Sequence, residues 1–220
     1  MIDEQSSTPL LDRFYHRFLT TEKSAEFIYN VSRRYTLASL ERLADGGTRI
    51  TRRGAVLALG FLGDYQQNGV VGHKLQDEDR AVRLLADHGI RQLWLRVGNL
   101  HLESALRRLT RLNQKMQFAS AIDVASDLLQ IAPDLAEAWN QRAIAWYHLE
   151  DYQHAIHDCR RTLELNDWHF LAALGSANCQ LELGDVYGAL QDFRLALKIN
   201  PDLDMVRSQV SQLQRIVEES

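Results

Sequence analysis

Two of the three prolines in this chain, Pro133 and Pro201, stand 68 residues apart in the similar settings QIAPDLAEAW and KINPDLDMVR, and 68 is twice 34. Windows of that length, 102–135, 136–169 and 170–203, bring the same residue types into register. Position 20 is Ala121, Ala155 and Ala189. Position 17 is Phe118, Tyr152 and Val186, position 28 is Leu129, Leu163 and Leu197, and position 8 is Leu109, Ala143 and Ala177. Position 32 is Pro133, Asp167 and Pro201, where proline stops a helix and disfavours helical geometry just before it. Each window therefore reads as helix, turn, helix, stop. An alanine at position 20 allows two antiparallel helices to approach closely, with larger apolar residues around it.

Beyond the third window, DMVRSQVSQLQRIVEE places Val206, Val210, Leu213 and Val217 on one helical stripe. Residues 204–220 read as a capping helix that shields the end of the stack. The first hundred residues are also helical by periodicity. Their expected terminators are glycines, Gly46-Gly47, Gly63 and Gly69. A shift of 31 residues superimposes Thr51-Arg52 on Val82-Arg83, Ala55 on Ala86, Leu59 on Ile90 and Leu62 on Leu93. Asp77 and Asp79 suit the N-terminus of a helix, and Arg83 can reach back to that turn. Residues 10–35 add two helices whose Phe14, Tyr15, Phe18, Phe27 and Tyr29 are expected to cover the open end.

The 34-residue windows resemble tetratricopeptide repeats, most closely in the middle one, where Trp139, Ala143, Trp146, Tyr152 and Ala155 occupy signature positions. Leu109 and Asp167 depart from the pattern. The stretches RRGAVLALGFLGD and LQDEDRAVRLLADHGIRQLW resemble short HEAT-type repeats. Together they imply an all-α solenoid: an N-terminal tail and helical cap over 1–35, HEAT-like repeats over 36–98, three tetratricopeptide repeats over 102–203, and the cap over 204–220. Gly98-Asn99 is a short junction, and with no flexible linker there a single continuous superhelix is expected.

In tetratricopeptide proteins the first helix of each pair lines a groove through positions 2, 5, 6, 9, 12 and 13. Carried over, the resemblance implies Arg107, Thr110 and Gln114, then Asn140, Gln141, Ile144, Tyr147 and His148, then Leu171, Leu174, Asn178 and Leu181. Such a surface suits a peptide whose backbone bonds to Asn and Gln amides while an apolar side chain anchors beside Tyr147. Chaperone-tail recognition is not carried over, because Leu106 and Thr110 stand where the carboxylate clamp needs other residues. Trp139 and Trp146 are expected to staple the core, and the apolar groove residues are expected either to meet a ligand or to pack under the C-terminal helix.

No nucleotide-binding, nucleophile-elbow or zinc-protease motif is present in the sequence, so a non-enzymatic adaptor or scaffold is the expected function. No cofactor is implied. The expected partner is another protein or peptide, with self-association left open. The chain carries 25 basic and 29 acidic residues, 14 and 12 of them through Leu100 and 11 and 17 after it. The acidic second half disfavours phosphate backbones. Two other readings remain: a regulatory subunit that holds a metal or small molecule through His154, His157 and Asp158, which share a helix face, or through the cleft expected where the two repeat types meet, and an RNA-binding repeat protein using Arg107, Arg108 and Arg111. Alternatively that arginine cluster receives an acidic side chain or simply faces solvent. Cys159 and Cys179 fall on helical core positions and are expected to be free thiols. With no apolar run suited to a leader or a membrane span, a cytoplasmic location is expected.

Overall fold

The computed structural model describes residues 9–219, so the first eight residues of the expected tail, and Ser220, lie outside the described residues. Among the described residues the secondary structure consists of thirteen α-helices and two short 3-10 turns, with no strand. The chain is thus all-α, as its periodicity requires. Contacts divide it into two compact units, Met1–Arg96 and Val97–Ser220. No helix among the described residues is long and apolar enough to cross a membrane.

The first unit contains α1 (Leu10–Thr21), α2 (Ser24–Ser32), α3 (Leu37–Gly46), α4 (Arg49–Leu62), α5 (Asn68–His73) and α6 (Arg80–Leu93). Helix starts are fixed by side chains that satisfy orphan amides: Thr36 accepts from Ser39 N, Thr48 from Thr51 N, and Asp79 from Ala81 N and Val82 N. Gly47 and Gly63 follow the ends of α3 and α4 as the sequence suggests, whereas Gly69 lies inside α5. Of the residues matched by the 31-residue shift, Ala55, Leu59, Ala86, Ile90 and Leu93 are fully buried on α4 and α6, while Leu62 is half-buried. These helices touch backbone to backbone at Gly60 and Gly89, where a methyl built on Gly60 would lie 3.0 Å from the Gly89 Cα. Phe18, Phe27 and Phe61 form an aromatic cluster, while Tyr29 is exposed.

The acidic turn before α6 is tied to α4 by two arginines. Arg52 grips both oxygens of Asp77 at 3.0 and 2.9 Å, and Arg53 grips Asp79 at 3.1 and 2.7 Å. Arg83 does reach back to the turn, but to the carbonyls of Asp77 and Glu78. The Arg53 hydrogen bonds hold the Asp79 carboxyl below the usual carboxylate range, helped by the amides of Val82 and Ala81.

The second unit contains three helix pairs and a terminal helix: α7 (Leu100–Gln114) with α8 (Phe118–Ile131), α9 (Ala136–His148) with α10 (Tyr152–Leu165), α11 (Phe170–Glu182) with α12 (Val186–Ile199), then α13 (Asp204–Glu219). Asn99 caps α7, and Gly98 just before it takes a left-handed φ of 71°. Ala121, Ala155 and Ala189, the position-20 residues, are fully buried, which is the close approach their size permits. Asp151 and Asp185 cap the second helices of the later pairs. Val206 and Leu213 of α13 join Phe193 and Leu190 of α12 in one apolar cluster.

Candidate peptide-binding surface

Helix α9 packs against both α7 and α11, so the three first helices stand side by side and present one surface. Every groove residue inferred from the repeat register lies on these helices. Arg107, Gln114 and His148 are exposed, and Thr110, Ile144, Tyr147, Leu171, Leu174, Asn178 and Leu181 are half-buried. Asn140 and Gln141 are buried. The surface therefore has an accessible layer and a fixed polar floor.

The floor centres on Glu137, one turn below the expected residues. Its carboxylate accepts hydrogen bonds from Gln141 Nε2 at 2.7 Å, from His169 Nε2 at 3.0 Å and from Asn140 Nδ2 at 3.4 Å. The His169 ring also accepts the Ala172 amide at Nδ1, 3.1 Å away, which leaves Nε2 as the nitrogen that donates to Glu137. Asn113 of α7 donates to the Gln141 carbonyl and to Gln141 Oε1 at 2.8 and 2.9 Å. A chain of polar groups therefore runs from α7 through α9 to the start of α11. Glu137 and His169 were not singled out by register. The readable sign was His169 at position 34, where Leu135 and Leu203 stand in the other windows.

In the accessible layer, His148 stacks on Phe118 with ring centres 4.5 Å apart and planes 14° from parallel. Tyr147 lies against Tyr152 and packs on the cluster of Ala155, Ile156 and Cys179. Burial, and then the charge of Glu182, push its phenol pKa upward. Thr110 bonds to the Leu106 carbonyl, and Arg107 pairs with Glu103 at 3.4 Å. Leu174 and Leu181 pack in the cluster that includes Val206 and Leu213 of α13, while Leu171 lies outside it.

The remaining sequence candidates fall elsewhere. Trp139 and Trp146 are half-buried rather than central: Trp139 donates to the Pro133 carbonyl and lies under the Arg142 guanidinium, and Trp146 stacks on His154. Trp146 also packs on the buried Ala155, Ile156 and Cys179, as the expected staple requires. His154 is paired with Asp151, and Asp158 is held on both oxygens by Arg142, at 2.7 and 3.0 Å, with His157 Nδ1 3.1 Å from Oδ1. No group of three or more His, Cys, Asp or Glu is arranged to hold a metal ion among the described residues. Cys159 and Cys179 are free and buried.

The paired helices of the second unit, with their alanine-lined contacts, form an all-α solenoid arrangement. Residues 136–169 match the tetratricopeptide repeat family model, so a repeat of that kind is present there. A TPR repeat-containing protein of Rhizobium etli is 24% identical over 138 residues, 63% of this chain and 67% of that protein. Sperm-associated antigen 1 of Mus musculus is 31% identical over 85 residues, 39% of this chain, and the match spans only 9% of the antigen's length. Among solved structures, the first TPR of Spaghetti (RPAP3) bound to the HSP90 peptide SRMEEVD superimposes with a TM-score of 0.51 at 16% identity, covering 53% of this chain and 93% of that one. The OM64 TPR domain of Arabidopsis gives 0.50 at 21% identity, covering 52% and 95%. At these identities the structural likeness establishes the fold.

Proposed function

We propose that this chain is a non-catalytic adaptor that holds an extended segment of a partner protein across α7, α9 and α11, in the cytoplasm. The reading is supported by the row of first helices: α9 packs against both α7 and α11, with Arg107, Gln114 and His148 exposed and Tyr147, Ile144 and Asn178 half-buried along them. Its polar groups can meet a peptide backbone, while Tyr147 and Ile144 offer apolar contact. The RPAP3 domain, bound to an HSP90 peptide, provides a precedent for a peptide on this fold. The chaperone tail is not the ligand proposed here, since Leu106 is fully buried and Thr110 is bonded to its own helix. The first unit is read as a HEAT-like extension, a view supported by the arginine ties between α4 and the acidic turn.

The test places a photo-crosslinking amino acid at Gln114 or His148, and at Arg160 on α10 as control, in cells of the source organism. A shared adduct at the first two sites and none at Arg160 is the expected result. Adducts only at Arg160, or none at all three sites, refute the assignment. Recovery of RNA in place of protein would favour the RNA reading.

A further inference from the structure

The second and third helix pairs use the same device to join their two helices. Arg142 on α9 holds Asp158 on α10 through two hydrogen bonds, and Ser176 on α11 donates to Asp192 on α12 at 2.6 Å. In the 34-residue register these are positions 7 and 23, and position 23 is a carboxylate both times. The first pair has Arg108 at position 7 but Val124 at position 23. The guanidinium has lost the acid that the repeat otherwise supplies. Arg108 is exposed, and no hydrogen bond or ion pair engages its side chain among the described residues.

Arg108 and Val124 both line an open cleft of about 580 Å³ between α7 and α8, with His101, Arg111, Lys115 and Leu112 among its walls. His101, Arg108 and Arg111 share one face of α7 and Lys115 follows at its C-terminal end, so the cleft has a basic stripe beside an apolar strip of Leu112 and Val124. Position 7 also faces the preceding helix in the stack: Arg142 of α9 reaches Ser126 Oγ on α8 at 3.1 Å. Helices α9 and α11 each pack on the second helix of the pair before them, and α7 has no such helix within its own unit.

We propose that this cleft docks an acidic helix of a partner protein, one of whose carboxylates enters beside Val124 and pairs with Arg108. The helix occupies the place that α8 takes against α9, and its carboxylate the place of Asp158. A guanidinium grips a carboxylate with two parallel bonds, as Arg142 does, and that geometry favours Asp or Glu over an uncharged group. Nucleic acid is the poorer occupant, because a polyanion must also lie along a half of the chain with 17 acidic residues against 11 basic ones. This surface is separate from the one under Arg107 and Gln114, so its test does not depend on the peptide groove.

The probes are two synthetic 18-residue helical peptides, one with glutamates spaced seven, three and four apart to match the basic stripe, the other with glutamines there. Binding to the full chain is read by fluorescence anisotropy at low salt. The glutamate peptide is expected to bind at least about tenfold more tightly than the glutamine one, the size of one lost charge-assisted contact. Arg108→Gln is expected to weaken it by about the same factor, and Arg160→Gln, on α10, to leave it unchanged. Val124→Asp restores the internal partner and should abolish the advantage while leaving the melting temperature at or above the parent value; should that variant misfold, Arg108→Gln decides alone. The proposal falls if the glutamate peptide does not bind, if both peptides bind equally, if a folded Val124→Asp binds as the parent does, or if an oligouridylate of equal length binds more tightly.

Discussion

Replacing Glu137 by alanine removes the acceptor on which the floor of the groove is built. His169 Nε2 and Gln141 Nε2 point at it from 3.0 and 2.7 Å, and the His169 and Glu137 side chains are 0% and 6% exposed. Both donors belong to buried residues. Each buried donor left unpaired costs about 1–3 kcal/mol, so Glu137→Ala should destabilise the chain by about 2–6 kcal/mol. Glu137→Gln keeps the shape and one acceptor oxygen. That oxygen can serve His169, whose Nδ1 is committed to the Ala172 amide, but the new amide then faces the Gln141 amide. Gln141 can turn only by giving up its Oε1 bond to Asn113. One donor's worth of loss, about 1–3 kcal/mol, is expected. Urea unfolding followed by far-ultraviolet circular dichroism measures both. A loss below about 0.5 kcal/mol for Glu137→Ala, or equal losses for the two variants, would refute the reasoning.

Gly60→Ala or Gly89→Ala forces apart helices that meet at backbone distance, and overpacking of this kind costs about 1–3 kcal/mol, measurable as a lower urea midpoint. Burial pushes the Cys159 thiol well above its ordinary range and the Cys179 thiol to about 11. Native protein should therefore be nearly inert to a thiol reagent at pH 8, with both thiols titrating once it is unfolded. Because these pKa values are raised in the folded state, their stabilising contribution is complete below about pH 9 and is lost as pH rises toward 11, which thermal melts across that window would show. The Asp79 carboxyl, depressed chiefly by Arg53, contributes stability above its ordinary range that disappears as pH falls through the depressed value. Asp79→Asn should flatten the acid limb of the melting curve, and an unchanged slope would contradict this.

Much of the architecture was legible because the repeat states it three times: position 20 alanines are buried, and helix ends fall where Pro133, Asp167 and Pro201 stand. The α4 and α6 cores were readable for the same reason, since Ala55 and Ala86 recur in register. The glycine crossing of α4 and α6 was not, because Gly60 and Gly89 break the 31-residue match and contact across a helix pair has no local signature. Trp139 was over-read, since a large apolar residue on a short helix can lie flat at an edge under Arg142, whereas Trp146 does pack on the Ala155, Ile156 and Cys179 core while its other side stacks on His154. At the candidate site, register placed the residues on their helices but not in depth. Asn140 and Gln141 look like ligand contacts when the family's groove positions are carried over, and only the side-chain hydrogen bonds within α9 reveal that they serve Glu137. The missing carboxylate at Val124 lay in plain view in the alignment of windows, yet it acquires meaning only once Arg142 and Asp158 are seen to pair.

Within the second unit the principal contacts of each helix are with the helices before and after it and, for the first helices, with the next first helix in line. Such a body has no keystone. Its order is transmitted link by link, so loss of α13 uncovers Phe193 and Leu190 before it troubles α9, and a tug on the C-terminal end should peel helices away in sequence instead of shattering the unit at once. Amide exchange should trace that ladder, slowest around α9 and α10 and faster toward α13, which makes this end of the molecule the one that opens and recloses most readily while the middle pair keeps its grip.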